Sequence, residues 1–291
     1  MKSFILQVLE VLVPSAYIIS NKTVLTLHNF KFPSIFISWQ LTLALLAIMV
    51  HFRNSIHSVS RSDVQNNLVS SVLLTVSMYF GSRALGAISL PVFISGQILG
   101  EQVLKSILHF GNVSRCRMIL WLINVLFMIS LFTLIVSSLD VYTVFCFLTH
   151  IAVNNGLVAF KRSLNTHEEH IKHTVVSITF CVVFLLLYGT VSGEVVQAGN
   201  YNFSQSHFIF YLSNSGILCA AIHIINGSKL EDGKLNSFKR FTYYIFVNII
   251  GYFYDYNGDG NFLIRDSTIS LYFSGTLLLD SIFLPLLTNI N

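Results

Sequence analysis

Among the ionisable side chains inside long apolar stretches of this 291-residue chain, Lys22, Arg83, Glu101, Lys105 and Asp280 stand out. Charge in such a setting is costly unless it is paired or faces a polar cavity, so each is a candidate for function. Lys22 sits near the end of the first stretch, where it can snorkel to the membrane surface or face a cavity. Arg83, after Tyr79-Phe80-Gly81-Ser82, has the same two options, and its guanidinium suits bidentate contact with phosphate. Glu101 and Lys105 are spaced as an intrahelical ion pair, acid first, or as a cavity-lining one. Counted from residue 87, Glu101 lies about 21 Å along its helix. Asp280, at similar depth, has no local partner and reads as a coupling carboxylate or a protonated, buried acid. A sixth stretch carries Asn154-Asn155 and ends in Lys161-Arg162. Adjacent Asn residues point in different directions on a helix, and Lys161 reads as a surface anchor or a further cation. Cations and amides together suit an anionic, polyhydroxyl ligand, because phosphate pairs with Arg and Lys and sugar hydroxyls pair with amides.

Three other patterns are weaker. The tract His167-Glu168-Glu169-His170-Ile171-Lys172-His173 lacks metal-ligand spacing and reads better as a solvated loop than as a zinc site. Asp255, Asn257, Asp259, Gly260 and Asp266 fall at the acidic and glycine positions of a calcium loop, but their flanks are apolar runs, and a polar turn explains them more simply. Cys116, Cys146, Cys181 and Cys219 are scattered singly and read as apolar packing residues. No metal or cofactor is therefore expected.

The elements that must position these residues are ten apolar runs, at about 4–27, 33–51, 67–85, 87–108, 117–137, 141–160, 172–191, 206–226, 240–254 and 268–288. The chain is 54% hydrophobic and 10% charged, with 25 Phe, too few polar residues to clothe a soluble globule. Backbone groups in lipid must be satisfied within each segment, so the expectation is an all-α polytopic membrane protein. Thirteen of the 17 Lys and Arg lie at or beside alternate gaps on the side of the N-terminus, and only Lys22, Lys31, Arg83 and Arg265 fall on the other. That asymmetry predicts cytosolic termini and an even number of spans. The first run, with no cleavage site after it, reads as a retained span. The net charge of +4 reflects loop anchoring, and no basic stripe interleaved with aromatics points to nucleic acid.

The expected organisation is one transmembrane domain, 1–291, in two five-helix halves, 1–138 and 139–291, joined at the short turn around Asp140. An odd number of spans per half gives the halves opposite orientations, which places a site near the midplane. Pro14, Pro91 and Pro285 fall within runs and can bend them.

Asn21-Lys22-x-Val24-Leu25, then Phe30-Lys31-Phe32-Pro33-Ser34 and Trp39-Gln40, resemble the first two spans of nucleotide-sugar transporters of the drug/metabolite transporter superfamily. Gly81-Ser82-Arg83-Ala84-Leu85 followed by Leu90-Pro91-Val92-Phe93 resembles the Golgi GDP-mannose-transporter-like branch, particularly its small orphan member. The resemblance implies ten helices in two inverted halves, residence in the Golgi or endoplasmic reticulum membrane, and exchange of a cytosolic nucleotide sugar for luminal nucleoside monophosphate. Lys22, Arg83 and Lys161 would then neutralise the diphosphate, while Gln40, Gln97, Asn155, Ser177 and Asn248 would hydrogen-bond sugar or base. The branch reads GDP-mannose with an aromatic-Asn-Asn motif in the seventh span and a Gly-Ala-Leu-Asn-Lys motif in the ninth. Here the seventh offers Ser177 and Thr179, and the ninth Val247-Asn248-Ile249 with no lysine. A UDP-sugar such as UDP-N-acetylglucosamine is thus at least as well supported.

The partners expected are a nucleotide sugar and the lipid bilayer, and a homodimer is compatible with the reading. Two alternatives share the fold: a carrier of another phosphorylated organic anion, and a non-transporting membrane interaction protein. An enzyme is disfavoured, since the spans carry no paired metal-binding histidines. Of the sequons, only Asn202-Phe-Ser stands clear of the apolar runs in a gap on the luminal side. The expected outcome is a glycosidase-sensitive mobility shift that Asn202→Gln abolishes; absence of the shift in native chain would invert the topology.

Overall fold

The computed structural model describes residues 2–53, 59–90, 92–94, 96–97, 100, 139–161, 166–201, 203 and 206–227. Its helices are α1 (Lys2–Thr26), α2 (Pro33–His51), α3 (Arg61–Ala87), α4 (Val141–Lys161), α5 (His167–Val191), the short α6 (Glu194–Gly199) and α7 (Ser206–Gly227), and no strand occurs among the described residues. Five of them, α1, α2, α3, α5 and α7, are long and apolar enough to cross a membrane, and α4 contains the shorter apolar segment Val141–Leu157. The chain is a multi-pass helical membrane protein.

Local chemistry sets the boundaries. α2 starts with Pro33 in the first turn, where its missing N–H costs nothing. α3 begins at Arg61, ahead of its apolar run, because Ser60 and Asp63 form a reciprocal capping box. Thr166 and Glu169 form the same device before α5. The tract His167–His173, expected as a solvated loop, is therefore the first turns of a helix, and His173 is buried. At α4, Asp140 accepts from the Thr143 N–H at 2.9 Å, and the Thr143 bonds hold its carboxyl below the usual carboxylate range.

Side-chain pairs fix the directions. Phe80 meets Phe145 and Ser77 meets His150, so α4 runs antiparallel to α3. Ser70 meets His173 and Tyr79 meets Tyr188, so α5 runs parallel to α3. Lys22 reaches Leu85 and Ile88 at the end of α3, and His28 lies against Phe208 at the start of α7. α1, α3 and α5 thus end, and α2, α4 and α7 begin, at one end of the bundle. α3 packs mainly between α4 and α5, and α2 between α5 and α7. An aromatic cluster of Phe30, Phe36, Tyr201 and Phe208 covers part of that end, and burial pushes the Tyr201 phenol above its ordinary range.

Beside an apolar core, the described bundle buries polar side chains and exposes large apolar ones. Asn21, Lys22, Gln40, Ser70, Ser77, His150 and Ser177 are buried, while Val50, Val69, Phe145, Leu187 and Phe210 are exposed. Such a surface suits lipid.

α5 approaches the start of α2 at Gly189, where an added Cβ would stand 2.6 Å from Ser34 Oγ and 3.2 Å from Ile35 Cδ1. Gly189→Ala is expected to cost about 1–3 kcal/mol by overpacking, seen as a lower midpoint of thermal unfolding in detergent. An unchanged midpoint would mean the two helices are not in close contact.

Candidate functional site

α3 carries polar groups at three levels, each satisfied by a different neighbour. From Arg83 down to Ser77 is about 9 Å along the helix, and from Ser77 to Ser70 about 10 Å.

At the level where α3 ends, Arg83 Nη2 donates to Glu194 Oε1 at 3.1 Å and to the Tyr79 hydroxyl at 3.2 Å. The guanidinium also lies 5.5 Å from the centre of the Tyr79 ring, and the Tyr79 and Tyr188 hydroxyls are 3.1 Å apart. The other Glu194 oxygen accepts from the Ser34 N–H at 3.1 Å and from the Ser34 hydroxyl. Phe32, the residue capping α2, has no side-chain oxygen to offer. Glu194 therefore supplies from across the bundle the acceptor that the α2 N-terminus lacks. Gly193, with φ 76°, makes the left-handed turn that joins α5 to α6 ahead of this residue.

Lys22 reaches the same end from α1. It is 5% exposed, and its Nζ donates to Leu85 O at 2.8 Å and Ile88 O at 2.6 Å. These carbonyls close α3, and a cation at the negative pole of a helix is in a favourable field. Sequence offered a snorkelling lysine or a cavity lysine; the structure places its ammonium on a helix terminus inside the bundle.

One level down, His150 Nδ1 lies 2.8 Å from Ser77 O and 3.1 Å from Ser77 Oγ, and Nε2 lies 2.9 Å from Gln97 Nε2. A carbonyl only accepts, so these partners assign the proton to Nδ1 and leave Nε2 to accept from the Gln97 amide. Phe93 stacks on the imidazole with centroids 5.4 Å apart. At the third level, Ser70 Oγ is 3.0 Å from His173 Nε2, and both Ser70 and Ser71 approach Ser177 at 3.4 Å. Away from α3, Gln40 joins α2 to α1: it accepts from the Tyr17 hydroxyl at 3.0 Å and donates to Asn21 Oδ1 at 2.7 Å.

Of the residues singled out from sequence, Lys22 and Arg83 come to the same end of the bundle. Gln97 and Ser177 sit at the two lower levels of α3, Gln40 is in the α1–α2 seam, and Asn155 is half-buried on α4 beside Gly100. Lys161 is the last residue of α4. Glu101, Lys105, Asn202, Asn248 and Asp280 lie outside the described residues. Sequence reasoning missed Glu194 and His150. His150 is an ionisable residue within an apolar run and met the criterion applied to Lys22. Glu194 lies just past a run, at the end where Arg83 was expected, and opposite charges at one end were the available signal.

Fold and interior together define a multi-pass membrane protein with a cationic, hydrogen-bonded polar interior. Within that class, the chain is 35% identical over 78 residues to the mouse (Mus musculus) UDP-N-acetylglucosamine transporter TMEM241. The match covers 26% of this chain and 26% of the mouse protein, so it spans about a quarter of the curated relative's length. No protein-family model matches the chain, and no solved structure does.

Replacing Lys22 leaves the α3 carbonyls without these donors. Lys22→Met is expected to destabilise the protein by about 1–3 kcal/mol, read as a lower thermal midpoint, with Lys22→Arg intermediate. A Met variant as stable as the parent would remove the terminal-capping role.

Proposed function

We propose that the protein is a nucleotide-sugar transporter, with UDP-N-acetylglucosamine as the leading substrate. The partial match to the mouse UDP-N-acetylglucosamine transporter carries this reading, and the polar interior supports it. Ten spans in two inverted halves are compatible with the described directions: α3 ends and α4 begins at one end, which any even number of crossings between them satisfies, and α1 and α4 run oppositely, as the first helices of inverted halves would. In this reading the termini are cytosolic, the membrane is that of the Golgi, and cytosolic nucleotide sugar exchanges for luminal nucleoside monophosphate. No bond of the substrate is made or broken.

Arg83 is the best-placed phosphate ligand, since its side chain is 32% exposed and its partners are side chains rather than backbone. Lys22 would add positive potential from α1 at the same end of the bundle, and Lys161, the last residue of α4, would be a third cation. In this reading Gln97, which meets His150, Asn155 on α4 and Ser177 on α5 would offer amides and a hydroxyl to sugar or base, with Gln40 and Asn248 completing the set. A second reading, a non-transporting interaction protein of the same fold, is favoured by one observation: Arg83 and Lys22 both already hold intramolecular partners.

The test is exchange in liposomes preloaded with UMP or GMP, scanning UDP- and GDP-sugars. Saturable uptake of UDP-N-acetylglucosamine stimulated by UMP is expected, reduced at least tenfold in Arg83→Gln. Folded protein that takes up none of the panel would transfer the assignment to the non-transporting reading.

A further inference from the structure

The Arg83–Glu194–Ser34 cluster links three elements that meet at this end of the bundle: α3, the α5–α6 turn and the start of α2. Two features distinguish it from an ordinary surface ion pair. Glu194 is only 8% exposed on its side chain, and it satisfies the backbone N–H of Ser34 as well as the guanidinium. One carboxylate therefore neutralises α3 and caps α2 at once, and losing it would unfasten both. It is also carried on a short six-residue helix that follows the left-handed Gly193.

Arg83 itself is not saturated. Its Nε is buried without a hydrogen-bond partner among the described residues, whereas Nη2 serves both Glu194 and Tyr79. A phosphate with three acceptor oxygens is a stronger bidentate partner for this fork than the single Glu194 oxygen now on Nη2.

We propose that Glu194 is a latch that holds this end of the bundle shut, and that a diphosphate reaching Arg83 competes with it, freeing the α5–α6 turn from α2. The inference rests on the transport reading for the identity of the anion, but not for the latch. Glu194 acts through Arg83 and Ser34 and is a positioning residue. In the latched state the Ser34 amide is bonded and shielded; in the released state it meets solvent. Coupling follows from the competition, because Arg83 cannot give the same donors to both anions, and an anion that binds only the released state shifts the population toward it.

Hydrogen–deuterium exchange on the full chain in nanodiscs tests this at the peptides covering residues 30–38 and 188–200. Inorganic pyrophosphate and UDP-N-acetylglucosamine are the two probes. Wild-type protein is expected to exchange slowly at both peptides and at least fivefold faster with either probe. Glu194→Gln should exchange at the faster rate with no probe added. Arg83→Gln should also be fast, and neither probe should raise it further. A peptide from α4, residues 141–157, should keep its wild-type rate in both variants, which separates local release from unfolding. If the variants unfold, the wild-type response to the probes still decides. Wild-type rates within twofold with and without both probes, or a folded Glu194→Gln variant as slow as wild type, would overturn the latch. A response to pyrophosphate but not to UDP-N-acetylglucosamine would keep the latch and sink the substrate assignment. Liposome exchange of UDP-N-acetylglucosamine without any change in these peptides would do the reverse.

Discussion

Hydrocarbon offers no hydrogen bonds, so polar groups within the described bundle are driven to find partners inside the protein. Many do so locally. Ser15, Thr23, Ser38, Thr42, Ser71 and Thr75 each bond a carbonyl one turn back on their own helix, which satisfies the hydroxyl but says nothing about which helices are neighbours. The side chains that cannot be satisfied this way carry the tertiary information. Lys22, Gln40, Arg83, His150 and His173 each reach another element, and each of these bonds would be lost if a helix slid by one turn. In a bundle whose outer surface is as apolar as its surroundings, burial of hydrocarbon cannot specify register, and these polar contacts can.

The position of α3 follows from its composition. Ser70, Ser71, Ser77 and Gly81 are small and buried, which allows α4 and α5 to approach its two flanks closely. The same serines present hydroxyls to the histidines of those helices, His150 on α4 and His173 on α5. A helix of bulkier residues would pack at longer distance and lose both contacts, so close packing and polar pairing have one origin.

The helices were legible in the sequence because apolar runs measure the membrane directly. The run at 33–51 is α2, that at 141–160 is α4 less one residue, and that at 206–226 is α7 less one. Helix starts were less legible: α3 and α5 extend into polar sequence at Arg61 and His167, where capping boxes rather than hydropathy decide the boundary. For α5 this turned an expected loop into helix. The polar interior was legible only by residue type. Lys22 and Arg83 could be named as costly charges, but their partners are backbone carbonyls, which every residue has, and a carboxylate more than a hundred positions away. Neither kind of partner leaves a spacing to read in one chain.

Those two cations also show why residue type alone does not assign a role. The acceptors of Lys22 belong to the terminus of α3, are covalently continuous with it, and move with it as a body. A shift of α1 against α3, two helices that run parallel and end together, would strain these bonds. Arg83 holds a side chain from a different element, on the far side of a glycine turn. A lysine on carbonyls therefore fastens neighbours, whereas an arginine on a carboxylate can exchange one anion for another. In the transport reading proposed above, Lys22 would mainly serve the frame of the bundle and Arg83 its working part, a division set by the nature of the acceptor rather than by the charge the two residues share.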